Sequence, residues 1–215
     1  MGWWVQSNVN AKAARRHHTL NTILNSRSSD IYQKHLGAYS RYVKEGQYIH
    51  PKLARWFNHQ SEPEFSKVKM PIELRDAANG IMYVVNYFEF LALAIEKKDL
   101  DEGLLRECFC GMLPSIEKRA FYLIREAQNK DERYFSAFVN IVEKWSKDGS
   151  SIVKQYKSHA SVEGIKNLGT PVPSEEDMKL ILKGEDICLS YTCYSASGES
   201  VNESKQPDLE SCSDA

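Results

Sequence analysis

The chain has little of what marks specialised chemistry. Five cysteines in 215 residues are too few and too scattered for a disulfide scaffold. Cys108 and Cys110 form C-x-C, Cys188 and Cys193 lie five apart, and Cys212 stands alone. The C-x2-C pairs of zinc sites are missing, so no metal is expected and Cys108 reads as a core residue. The odd thiol count fits a reducing cytoplasm. Glycine (11) and proline (7) are sparse, while 42% of residues are apolar and 27% charged, which excludes collagen-like and wholly disordered chains. No G-x-x-x-x-G-K-[ST], G-x-G-x-x-G, G-x-S-x-G or H-E-x-x-H occurs. Nor does the Glu-x-x-His pair with which helical bundles hold di-iron centres. The chain therefore reads as non-enzymatic, with no cofactor.

Targeting signals are lacking too. Met1 to Val5 is apolar but too short for a signal core or a membrane span. Myristoylation at Gly2 would want Ser or Thr at position 6, where Gln6 stands. The adjacent Trp3 and Trp4 suit a bilayer interface or, as the simpler reading, a hydrophobic staple in a flexible terminus over residues 1–9.

What is present is helical periodicity and a lengthwise split of charge. Residues 1–60 carry a net +7 and five of the six histidines, residues 61–170 a net -1, and residues 171–215 a net -7. A basic head and an acidic tail can each recruit partners, or meet each other. From Pro71 to about Lys97, Leu74, Ala78, Ile81, Val85, Phe88, Ala92 and Ile95 recur at alternating steps of four and three, one full face of a helix. Between Ile81 and Ile95 only Asn86 and Glu89 are polar, so this helix belongs at the centre of a bundle. That stretch is short for a bilayer and carries a carboxylate, which argues against a membrane span.

The flanking segments follow the same rules. A helix from Asn10 to about Gly46 is interrupted near Ser26–Asp30, where Ser29 or Asp30 can recap it, with Leu20, Leu24, Ile31, Ala38 and Tyr42 facing inward. Pro51 to Asn58 forms a short helix, and His59 to Met70 a loop. Asp101 caps the next helix, Pro114 kinks or breaks it near Leu113, and a further helix from about Asp131 presents Phe135, Phe138, Ile141 or Val142, and Trp145. Ser174 to Asp177 resembles a capping box. The expected organisation is an all-α helical bundle over residues 10–146, a weakly structured helical segment over 147–194 with one β-like stretch from Ile187 to Tyr194, and a disordered acidic tail over 195–215.

Two groups of residues could carry function. Arg15, Arg16, His17, His18, Arg27, Arg41, Lys52 and Arg55, interleaved with Tyr32, Tyr39, Tyr42 and Trp56, could neutralise phosphates and stack bases, or form the solvated face of ordinary amphipathic helices. His17 and His18 project about 100° apart on a helix and cannot easily share one metal. Asn86, Glu89 and Arg119 form the second group, read as buried polar residues that are structural or part of a site. A carboxylate in the most apolar helix must be paired, protonated or wet, and Arg119, Arg125 or the Arg15/Arg16 pair could satisfy it.

The runs Arg15-Arg16-His17-His18-Thr19-Leu20, Val85-Asn86-Tyr87-Phe88-Glu89-Phe90-Leu91-Ala92 and Lys98-Asp99-Leu100-Asp101-Glu102, with Ile116 and Arg119 further on, resemble a group of bacterial and prophage proteins defined only as a domain of unknown function. The resemblance spans roughly residues 15–145. It implies a helical bundle and transfers no catalytic residue. Many members of that group carry a membrane helix before the Arg-rich start, where this sequence has only Met1 to Ala14, too short to span. The reading is a cytoplasmic interaction protein, a phage or prophage accessory factor that binds and modulates a host protein such as a defence component. The alternative is a nucleic-acid-binding regulator using the basic head. Peripheral membrane contact and a homo-oligomer stay open as further partners.

Overall fold

In a computed structural model, residues 2–43, 47–159 and 172–187 are described. They form nine α-helices and no strand: α1 (Gly2–Ser28), α2 (Asp30–Tyr42), α3 (Pro51–His59), α4 (Ile72–Glu96), α5 (Glu102–Phe109), α6 (Leu113–Lys130), α7 (Ser136–Trp145), α8 (Ile152–His159) and α9 (Glu175–Lys183). One turn of 3-10 helix, Phe65–Lys67, lies in the loop before α4. The expected all-α bundle is the fold observed.

α4 is the axis. All seven residues of its apolar stripe are buried, as are Ala77, Gly80, Val84 and Leu91, because α2, α6 and α7 pack around it. At 25 residues α4 is long and apolar enough to cross a bilayer, contrary to the length argument above. Half of its most apolar window is buried inside the bundle. α2 lies closest to it. A Cβ added at Gly80 would collide with the His35 carbonyl, so only glycine permits this approach.

Local chemistry sets the helix ends. Ser29 accepts the Tyr32 amide and starts α2; Asp101 accepts the Leu104 amide at 3.0 Å and starts α5. Pro114 sits in the first turn of α6, where its missing N–H has no helical partner, so α5 and α6 are separate helices. Ser174 and Asp177 cap each other's backbone in a reciprocal box at α9, and Gly184, at φ 75°, ends that helix in the left-handed conformation.

The boundaries and facings differ from expectation in four places. α1 starts at Gly2, eight residues before Asn10. α7 starts at Ser136, because Asp131 to Phe135 is a turn held by the Asp131–Arg133 ion pair. Leu20, Leu24 and Ile31 are exposed. α1 and α2 instead turn Thr19, Ile23, Tyr32 and Tyr39 inward, a stripe shifted by one residue because the Thr19 hydroxyl satisfies a backbone amide of the bundle. Cys108 is exposed, since Leu105 and Phe109 occupy the inward positions of α5. The weak helix expected after Ile152 is α8 as far as His159. Residues 160–171, Cys188 and Cys193 with most of the β-like stretch, and the tail over 195–215 lie outside the described residues.

Candidate functional site

Three arrangements stand out, the most conspicuous being α1 itself. From Trp3 to His18 every side chain is exposed. Those 16 residues rise about 24 Å at 1.5 Å each, and no described residue buries any of them. The helix joins the bundle only further on. Thr19, fully buried, donates to the Arg15 carbonyl at 2.9 Å and accepts the Asp101 amide at 2.8 Å, fixing α1 to the start of α5. Ile23 enters the core, the Tyr87 hydroxyl donates to Ser26 at 2.7 Å, and Arg27 lies over the Phe109 ring at 5.6 Å. The arm carries apolar groups at its start, with Trp3 84% and Trp4 69% exposed, and Val5 and Val9 also bare. Lys12, Arg15 and Arg16 follow, with His17 and His18, and α1 contains no carboxylate.

The second arrangement joins the two charged ends of the chain. α9 buries Met178 in the core and sets Asp177 at 2.8 Å from the Lys52 ammonium. Asp186, just past α9, lies 3.4 Å from the same ammonium and accepts from His50 at 3.2 Å. The Nδ1 of His50 accepts the Lys52 amide at 3.2 Å and so caps α3, which leaves its proton on Nε2, facing Asp186. Burial pushes the His50 imidazole below its ordinary pKa and outweighs the neighbouring carboxylates. For Asp177, burial acts upward, but the hydrogen bonds from Lys52 and Ser174 prevail and hold the carboxyl below its ordinary range.

The third comprises a half-buried and a buried carboxylate that serve as helix caps. Glu89 accepts the amides of Ala137 at 3.3 Å and Phe138 at 2.6 Å, at the start of α7. α7 needs this, because its own N-cap position is Phe135, left-handed at φ 58° and without a capping side chain. Burial raises the Glu89 pKa and the two amides offset part of the rise. Glu117 on α6, 1% exposed, does the same for α8, accepting from the Ser151 hydroxyl and from the Ile152 amide at 3.1 Å. Burial dominates there and pushes its pKa up to about 7.

The residues singled out in the sequence are not brought together. Arg15, Arg16, His17 and His18 lie exposed on the arm, Arg27 and Arg41 exposed on α1 and α2. Lys52 is held by α9, and Arg55 lies 3.8 Å from the buried Glu126. Tyr32, Tyr39 and Trp56, expected to interleave with these cations, are buried. Asn86 is exposed rather than buried. Glu89 meets backbone amides in place of a guanidinium, and Arg119 donates to the Tyr39 hydroxyl and covers its ring. Nothing in the spacing of Glu117, Glu126 and Thr19 separates them from surface residues. Trp3 and Trp4 were visible, but their exposure was not. Among the described residues no three His, Cys, Asp or Glu side chains are placed to hold a metal ion.

A family model described as Domain of unknown function (DUF4760) matches residues 1–145, from α1 to the end of α7. The chain belongs to the DUF4760 family. The Arg-rich segment of its resemblance to a domain of unknown function is the root of the exposed arm, and the segment around Glu89 is the α4 face that caps α7. The DUF4760 match ends where α7 does, so the pieces that carry α8 and α9 lie beyond it. No curated protein and no solved structure matches the chain.

Proposed function

We propose that the protein is a non-enzymatic interaction protein whose bundle presents α1 as its binding arm. The observation that carries this reading is the bare stretch from Trp3 to His18. A solitary helix of that length is marginal in water, and two exposed tryptophans in its first turn add apolar surface that a partner would cover. The bundle supplies what such an arm needs, a rigid base pinned at Thr19, Ile23 and Ser26. Glu89, Glu117 and His50, whose titration burial perturbs, serve as helix caps. The narrower reading, a phage or prophage accessory factor modulating a host protein from the cytoplasm, draws its support from the sequence resemblance.

The test is capture with a photo-crosslinking residue at Gln6 or Asn10, with and without nuclease. Cross-linked partners dependent on arm-sited probes, and missing with a probe on exposed Glu132, support the reading. Equal labelling from both positions would reject it. The second reading, a nucleic-acid-binding regulator, is favoured by the four cations of α1 and disfavoured by the burial of Tyr32, Tyr39 and Trp56. It predicts affinity falling steeply with salt, with a slope that Arg15→Ala/Arg16→Ala flattens.

A further inference from the structure

We infer that the α1 arm binds an anionic lipid bilayer, its Trp3–Val5 turn entering the acyl boundary and Lys12, Arg15 and Arg16 holding the headgroup phosphates. The inference rests on the reading of α1 as the interaction element and names its partner.

The argument begins with how polarity is arranged on the helix. At about 100° per residue, Trp3, Trp4 and Val5 point to three different sides, and Val9 adds to the third. Lys12, Arg15, Arg16, His17 and His18 encircle the helix in the same way further along. Apolar and cationic groups are therefore separated along the axis, not across it. A helix that lies in a protein groove or flat on a surface needs a lateral apolar face, which this arm lacks. An arm apolar at one end and cationic about 13–18 Å further on suits a boundary crossed end-on, from an apolar layer to an anionic one. A bilayer presents that sequence of layers, with an interfacial region of several ångströms between hydrocarbon and water. Tryptophan favours that region, and side chains tilted toward the helix start bring the guanidinium and ammonium groups back toward the phosphates.

Charge decides among the other occupants. A second copy of the arm in parallel alongside the first would set three cations against three, with no carboxylate in either helix to relieve them. Nucleic acid would neutralise the cations but leaves Trp3, Trp4, Val5 and Val9 without a role. It would also find no aromatic ladder, since Tyr32, Tyr39 and Trp56 are inside the bundle. An anionic bilayer accommodates both groups at once, and each cation near such a surface is worth about 1 kcal/mol.

The experiment is flotation of the full chain with vesicles of phosphatidylcholine alone or with 30% phosphatidylglycerol, backed by tryptophan fluorescence. Trp56 and Trp145 are buried, so an emission shift on binding reports Trp3 and Trp4. Binding is expected to the anionic vesicles with a blue shift, and to fall at least tenfold in Trp3→Ala/Trp4→Ala. Arg15→Ala/Arg16→Ala is expected to weaken it about thirty-fold and to reduce its dependence on phosphatidylglycerol, leaving the share of Lys12. All four positions are exposed, so far-UV circular dichroism and melting should stay unchanged. No binding to anionic vesicles, or binding that survives the tryptophan double variant, overturns the inference. If vesicles fail while arm-sited probes still capture a protein or nucleic acid, the lipid assignment falls and the interaction reading stands; if both fail, the arm is not the binding element.

Discussion

At the scale of single residues, the informative groups are carboxylates wholly or partly withdrawn from water. The folded Glu117 carboxyl binds its proton more tightly than an unfolded one, about 7 against an ordinary 4.5. Its contribution to stability is therefore complete below about pH 4.5 and is lost as pH rises through 7. At about 1.4 kcal/mol per pH unit, the swing is on the order of 3 kcal/mol. Glu117→Gln keeps the shape and removes the charge. We expect it to melt above the parent protein at pH 8 and to lose much of the parent's slope between pH 5 and pH 8; parallel slopes in thermal melts would show that Glu117 titrates normally. Glu89 differs, because its two amide donors belong to the first turn of α7. Glu89→Ala should cost about 1–2 kcal/mol by leaving those amides uncapped, and Glu89→Gln less, since its carbonyl still accepts one of them. Equal effects of the two in urea denaturation would contradict the capping role. That Glu89 was anomalous is legible in the sequence, because a charge in an apolar run must be answered by something. Its partner was not legible, because a backbone amide 48 residues away leaves no mark on side-chain chemistry.

At the scale of elements, helix starts with a capping residue or proline were legible, while the starts of α1 and α7 and the facing of α1 were not. Ser29, Asp101, Pro114 and Ser174 work through backbone groups within three or four residues, so local sequence suffices to place them. The inward face of α1 depends on which bundle amide needs a partner. Thr19 goes inside to meet Asp101, and Leu20 and Leu24 turn out, a reversal of the hydrophobic rule that only tertiary contact explains. Gly80 shows the same dependence. In an isolated helix Gly→Ala gains about 1 kcal/mol, but here the new methyl meets the His35 backbone carbonyl and the Tyr39 Cβ of α2. Overpacking of this kind costs about 1–3 kcal/mol and usually more where the obstacle is backbone. Gly80→Ala should therefore lower the urea midpoint, by about 1–2 kcal/mol in net stability. A midpoint at or above that of the parent would mean that α2 can retreat from α4 without loss.

On the scale of the whole molecule, the lengthwise charge split has a structural meaning in one place. The basic head and the acidic C-terminal block meet where Lys52 receives Asp177 and Asp186, and α9 is thereby held near α3 while Met178 anchors it in the core. The opposing charges were legible from composition, but not that Lys52 and Arg55 would be drawn into ion pairs while Arg15 and Arg16 stay bare. The Lys52 pairs are about one quarter exposed, so solvent screens them and their worth is modest, about 1 kcal/mol. Such a clamp governs local opening more than global unfolding. Lys52→Met keeps the apolar stem and removes the charge. It should speed amide hydrogen exchange about five- to tenfold over Met178 to Lys183, while the amides of α6, buried through Ala120 to Ala127, exchange as before. Acid should loosen the same contact. Asp177 has its pKa depressed in the fold, so its contribution is lost only below its ordinary value of 3.8 and stays complete at pH 5. His50, held neutral by burial, disfavours the fold as pH drops through 6.5, where the unfolded chain takes up its proton first. Exchange measured at pH 7 and at pH 5, corrected for the intrinsic rate, should thus show α9 opening more readily at the lower pH in the parent protein. Equal protection at both values would show that His50 does not couple the docking of α9 to pH.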